Sequence, residues 1–114
     1  PVIYGDGTTT VDFVYIDDVV EANIQALKSD ITDEVFNVGT GREVSLKELL
    51  SIVLTATGSD LKPEYRAVRT VNPVRRRRAD TKKAKETLGF QSEVSVQEGI
   101  RRLINWRKNI LTSR

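Results

Sequence analysis

Two helix-start signatures constrain this chain more than anything else in it. Ser45-Leu46-Lys47-Glu48 and Ser95-Val96-Gln97-Glu98 both read Ser-x-x-Glu. In that box the serine hydroxyl accepts from the amide three residues on, and the glutamate reaches back to the serine amide. Each box commits the following residues to helix. After Ser45, the residues Leu46, Leu49, Leu50 and Val53 share one face, and Val44 is placed to staple onto Leu49. Gly58 is the predicted stop. After Ser95, the face is Val96, Ile100, Leu103 and Ile104, and Trp106 beside it is read as core packing. Glu43-Val44-Ser45-Leu46 and Glu93-Val94-Ser95-Val96 look alike, but the segments after them differ. They are one solution used twice, not a repeat.

The remaining segments alternate between strand and helix patterns. Val2-Ile3-Tyr4 reads as a short strand, stopped by Gly5-Asp6-Gly7. Val11 to Ile16 reads as a second, with Thr8–Thr10 as its extension. A helix is expected from Asp17 or Asp18, either of which can cap it, with Val20, Ile24 and Leu27 forming one apolar face. Val35-Phe36-Asn37-Val38 reads as a buried strand ended by Gly39-Thr40-Gly41. Pro63 and Pro73 oppose helix across 63–78, which is expected to be extended. A further helix is predicted from about Asp80 to Leu88, ended by Gly89. The expectation is an α/β fold of short strands with about four helices, in one domain of 114 residues.

Composition excludes several classes of chemistry. The chain has no Cys and no His, so disulfides, thiolate catalysis, Cys-based zinc sites and histidine general bases are excluded within it. No apolar run approaches the ~20 residues of a membrane helix, and the N-terminus lacks the pattern of a signal peptide. No membrane association is expected. The lack of disulfides is compatible with a cytoplasmic protein, which is the expected location. The absence of any Met, with a start directly at a strand, suggests a piece of something longer.

The net charge of +2 hides a polarity. Residues 1–61 hold 3 basic and 11 acidic residues, whereas residues 62–85 hold 10 basic and 2 acidic. The centre of that segment is Arg75-Arg76-Arg77-Arg78. In an extended chain Arg75 and Arg77 face one way, Arg76 and Arg78 the other. One pair can meet an anionic ligand and the other the chain's acidic half, although for any single arginine a solvated basic face is the favoured reading.

Other constellations have structural readings. Gly39-Thr40-Gly41 lacks the third glycine of a dinucleotide loop, because Val44 stands there, and it reads as a tight turn. Asp17 and Asp18 project about 100° apart on a helix and suit capping better than shared metal binding. Residues four after Tyr4, Tyr15 and Tyr65 are Thr8, Val19 and Arg69, so no Tyr-x-x-x-Lys pair exists here.

The order of elements nevertheless resembles a known family. Tyr4-Gly5-Asp6-Gly7 is followed by Asp12-Phe13-Val14-Tyr15-Ile16-Asp17-Asp18-Val19, and then by Phe36-Asn37-Val38-Gly39-Thr40-Gly41. A Ser-Leu-x-Glu-Leu helix, Ala79-Asp80-Thr81-x-Lys83-Ala84, Leu88-Gly89-Phe90, Val96-x-Glu98-Gly99-Ile100 and Trp106 complete the series. This resembles the C-terminal part of the NAD-dependent epimerase/dehydratases, the extended short-chain dehydrogenase/reductases typified by UDP-glucose 4-epimerases.

The resemblance implies a Rossmann-type NAD-binding domain followed by a smaller substrate domain. Residues 1–114 would form the substrate-binding portion, with about 12–41 completing the Rossmann part. The family's chemistry is hydride transfer between NAD and a sugar carbon, with a Tyr-x-x-x-Lys pair as acid and base. Neither that pair nor the Gly-rich loop occurs here, so this portion is expected to be inactive alone and to work with the N-terminal Rossmann domain. A full-length homodimer is expected. The substrate would be a nucleoside diphosphate sugar. By resemblance, Val2 and Tyr4 touch the nucleobase through backbone groups. Val11 occupies a position where relatives commonly place a diphosphate-binding arginine. Arg69 matches a second such arginine, and Arg75 or Arg77 can compensate for Val11.

Two other functions compete. The basic segment 62–85 could bind nucleic acid, but aromatics are only 6% and no RNA-binding signature is present. The chain could also be a stand-alone interaction module.

Overall fold

The computed structural model describes residues 1–68 and 74–112. Eight elements occur in chain order: β1 (Val2–Tyr4), β2 (Thr10–Val11), α1 (Ile16–Lys28), β3 (Val44–Ser45), α2 (Leu46–Thr57), β4 (Glu64–Arg66), α3 (Lys82–Leu88) and α4 (Val96–Thr112). The fold is mixed α/β. β1 pairs in parallel with β4, and β2 pairs antiparallel with β3. Among the described residues no helix is long and apolar enough to cross a membrane.

The serine half of each helix-start box forms as read, whereas the Glu98 carboxylate pairs with Arg101 and Arg102 instead of the Ser95 amide. Ser45 Oγ accepts from the Glu48 amide and Ser95 Oγ from the Glu98 amide, each at 3.2 Å. The next orphan amides of α2 find backbone partners, with Leu46 N donating to Thr9 O (3.0 Å) and Lys47 N to Gly7 O (3.1 Å). Gly58 and Gly89 end their helices in the left-handed region, at φ 65° and 72°.

Other expectations are corrected. The second strand covers only Thr10–Val11, because Asp12 turns its carboxylate to the 39–41 turn instead of continuing a ladder. The first helix begins at Ile16, preceded by Tyr15, so Asp17 and Asp18 sit inside its first turn and cap nothing. The third begins at Lys82, two residues after Asp80, whose Oδ1 accepts from the Lys82 amide. Residues 35–38 form no strand, because no neighbouring chain among the described residues offers a ladder. Trp106 is exposed rather than core.

The apolar face of α1 is present and points outward. Its stripe Ile16, Val20, Ile24 and Leu27 is exposed, Leu27 by 86%, while Asp18 and Ala22 are buried. At about 100° per residue these two faces lie roughly opposite one another. The helix thus packs its small and polar side on its own chain and presents its aliphatic side outward. The core it joins is small. Ala22, Ala84 and Phe90 are buried together, with Phe36, Val38 and Leu88 around them. The alanines let α1 and α3 approach closely. The molecule is a slab of 49 × 40 × 20 Å with a radius of gyration of 16.9 Å. A compact domain of about this length has a radius near 13 Å.

Candidate functional site

Three segments converge on residues 10–12. Thr10 pairs with Ser45 on one side and with Arg76 on the other. Its amide donates to Arg75 O (2.9 Å), and Arg77 N donates to its carbonyl (3.1 Å). The basic run is therefore held by its backbone along β2.

Two carboxylates lock this arrangement. Glu43 accepts from Thr10 Oγ1 (2.6 Å) and takes a two-pronged contact from Arg76, Nε at 3.0 Å and Nη2 at 2.6 Å. The Arg76 guanidinium, then the Thr10 hydroxyl, hold Glu43 down to about 2. Arg78 is near enough to add to that effect.

Asp12 is the second lock. It accepts from Thr40 N (2.9 Å), Thr40 Oγ1 (2.5 Å), Gly41 N (2.8 Å) and Ala79 N (3.2 Å). Burial alone raises a carboxyl pKa. At Asp12 the hydrogen bonds from Thr40, Gly41 and Ala79 outweigh it, and the net shift is downward. Gly39 is required by this contact, since a Cβ there lies 2.6 Å from Ala79 Cβ and 2.8 Å from Asp12 Oδ2. Sequence reasoning placed Asp12 in a motif but gave it no role. Its partners lie up to 67 positions away, beyond any local pattern.

The Gly39-Thr40-Gly41 turn does not fit NAD. The Thr40 and Gly41 amides, which a dinucleotide phosphate needs, are committed to Asp12. Gly39 is closed off by Ala79.

β1 supplies a different kind of surface. Pro1 O accepts from Glu64 N, and Gly5 N donates to Arg66 O, each at 2.8 Å. With Ile3 registered opposite Tyr65, the odd-numbered residues bond toward β4. The Val2 and Tyr4 backbone groups then turn toward the opposite edge. A cleft of about 310 Å³ is lined by β1 and by Leu46, Leu49, Leu50 and Val53 of α2.

The remaining predicted residues are placed as follows. Val11 is half-buried opposite Val44. Arg75 is exposed on the strand-like run beside Thr10. Arg69 lies outside the described residues.

Asp18 plays a structural part that sequence reading assigned to capping. Its buried carboxylate accepts from Glu93 N (3.0 Å) and Val94 N (3.1 Å). Asp17 pairs with Arg102 at 3.0 Å, so both acids tie α1 to the start of α4.

The family model for GDP-mannose 4,6-dehydratase matches residues 1–103. A putative UDP-glucose 4-epimerase of Methanocaldococcus jannaschii is 43% identical over 109 residues, covering 96% of this chain and 34% of that protein. A solved UDP-glucose 4-epimerase of Thermotoga maritima, holding UDP-glucose, matches with a TM-score of 0.90 and 39% identity. That match covers 96% of this chain and 35% of the epimerase. MoeE5, in complex with UDP-glucuronic acid and NAD, matches with a TM-score of 0.88 and 34% identity, over 96% of this chain and 36% of its own. The chain thus spans 34% of the length of the first curated relatives it matches.

Proposed function

The chain belongs to the GDP-mannose 4,6-dehydratase family, and from that membership we propose that it is the nucleotide-sugar-binding portion of an NAD-dependent epimerase or dehydratase. The β1 register is the observation that carries this reading. It turns the Val2 and Tyr4 backbone groups to the edge away from β4, where a nucleobase can take backbone hydrogen bonds, and the same two residues line the cleft with the aliphatic wall of α2. Arg69 and Arg75 then supply positive charge for the diphosphate. Val11 supplies none, so the arginines of the 69–78 segment carry that task alone.

In this reading NAD belongs to a separate N-terminal Rossmann half, and the present chain does not catalyse by itself. Its 114 residues contain no Tyr-x-x-x-Lys pair, and the one glycine turn that follows the family's pattern is filled by Asp12. Residues 12–41 form the seam with that half. Two observations support the seam. The α1 stripe Ile16, Val20, Ile24 and Leu27 faces away from this chain's core, and Val35 is 81% exposed at the head of a strand-like run without a ladder. A neighbouring parallel sheet would satisfy both.

The test is a titration of the chain with UDP-glucose, followed by amide chemical shifts. The expected changes cluster at Val2, Tyr4, Arg69 and Arg75. Binding of RNA at the same arginines, with a steep salt dependence and no response from β1, would favour a nucleic-acid module instead.

A further inference from the structure

α2 lines two separate clefts. Leu46, Leu49 and Val53 wall the one beside β1. Lys47, Ser51, Leu54 and Thr55 line a second trough of about 580 Å³ that reaches Tyr65 of β4, and Leu50 lies between the two. Small-molecule sites commonly measure about 300–1,000 Å³. Positions 47, 51, 54, 55 and 58 recur on one face at the helical period, so the trough runs along α2 for about 16 Å.

The chain reversal after α2 opens this trough. Gly58 ends the helix at φ 65°, and Ser59 N donates to Leu54 O at 3.0 Å. The returning segment then supplies Asp60 and Pro63 as the facing wall, ahead of Tyr65.

The lining is chemically mixed. Leu50, Leu54 and Pro63 give it apolar surface, and Tyr65 beside them is 49% exposed. Among the described residues the side chains of Ser51, Thr55, Asp60 and Tyr65 form no hydrogen bond. Lys47 is held at the start of the trough. Its amide donates to Gly7 O (3.1 Å), and its stem crosses Gly7, where a Cβ would lie 2.6 Å from Lys47 Cγ. The Lys47 ammonium lies 5.9 Å from the centre of the Tyr65 ring and forms no ion pair among the described residues.

An aromatic face carries negative charge density and attracts the polarised C–H groups of a sugar ring. Open hydroxyls along one helix face suit a ligand with many hydroxyls of its own. A cation without a partner, set beside the aromatic ring, suits a carboxylate on that same sugar.

We propose that the trough between α2 and β4 is a saccharide-binding site that takes a sugar acid, separate from the nucleotide-sugar cleft. The ring of the sugar stacks on Tyr65, its carboxylate meets Lys47, and its hydroxyls bond Ser51 Oγ and Thr55 Oγ1. Asp60, past the other end of α2, repels the carboxylate and so sets the ligand's direction. The site uses no residue of the arginine run and does not rest on the nucleotide-sugar reading.

The test follows amide chemical shifts of the 114-residue chain during titration with D-glucuronate and with D-glucose at low salt. D-glucuronate is expected to shift Lys47, Ser51, Thr55 and Tyr65 saturably and to bind about threefold tighter than D-glucose, the scale of one exposed charge pair. Lys47→Gln should abolish that preference and leave D-glucose binding unchanged. Tyr65→Leu keeps the apolar bulk and should weaken both sugars about fivefold. Excess UDP-glucose should leave D-glucuronate in place. No saturable change in the trough at about 50 mM D-glucuronate, well above the Kd of a weak site, would overturn the proposal. Changes confined to Val2 and Tyr4, displacement by UDP-glucose, or a preference for D-glucuronate that survives Lys47→Gln would overturn it as well. Should Tyr65→Leu disturb β4, the Lys47→Gln comparison decides alone, because that side chain is exposed.

Discussion

The Asp12 carboxylate accepts a hydrogen bond from the Ala79 amide at 3.2 Å, joining the end of β2 to the residue that follows the arginine run. Three further bonds tie the same carboxylate to Thr40 and Gly41. One side chain thus holds three segments that are far apart in sequence. Asp12→Ala removes the acceptor and leaves several amides without a partner. The expected loss is about 2–3 kcal/mol of stability, measured by urea denaturation. A loss under about 0.5 kcal/mol, typical of a surface site, would show that the clasp is not structural.

Gly39→Ala tests the same junction by steric means. The added methyl would lie 2.6 Å from Ala79 Cβ. The expected cost is about 1–3 kcal/mol. Ala79→Gly in the same chain should recover part of it, because the nearest obstacle is then gone. A denaturant series on the single and double variants checks this, and a double variant no more stable than Gly39→Ala would contradict it.

Acid should weaken the fold through specific carboxylates. The ordinary value for glutamate is 4.5, and Glu43 and Glu98 are both held down to about 2 in the folded chain. The Arg76 guanidinium leads at Glu43, and that of Arg101, then Arg102, at Glu98. A depressed folded value means stability that is present above the unfolded value and lost as pH falls through the folded one. Asp12 acts in the same direction. Thermal midpoints should therefore be level above about pH 5 and fall between about 4.5 and 2. Glu43→Gln should make that fall shallower. A stability that rises on acidification through this window would be inconsistent with these ion pairs.

The α1 stripe gives a prediction of the opposite kind. Leu27 is 86% exposed, so Leu27→Asp should change the stability of this chain by less than about 0.5 kcal/mol. A Leu at a core position would cost several times more on truncation. Denaturation of the variant separates the two cases, and a large loss would show that the stripe is covered within this chain.

These contrasts also show which features were legible in the amino-acid sequence. Ser45, Ser95, Gly58 and Gly89 act within a few residues of themselves, and all four do what local chemistry dictates. Asp18 resembled a cap by the same logic. Its partners, the Glu93 and Val94 amides, are 75 and 76 positions away, and no local rule reaches them. Val35–Val38 has the composition of a strand, but a strand exists only where a neighbour offers hydrogen bonds. The periodicity of Val20, Ile24 and Leu27 correctly marked an apolar face. It could not say what that face packs against. For the site, alternation predicted two faces for the arginine run, while Glu43 as the partner that sorts them became visible only in three dimensions.

The central claim is that this chain holds a nucleoside diphosphate sugar between β1 and the arginine run. Amide chemical shifts during a UDP-glucose titration test it most directly. The account predicts saturable changes at Val2, Tyr4, Arg69, Arg75 and Arg77, with the far end of α4 unmoved. A folded chain showing no change at these residues at millimolar UDP-glucose would contradict it.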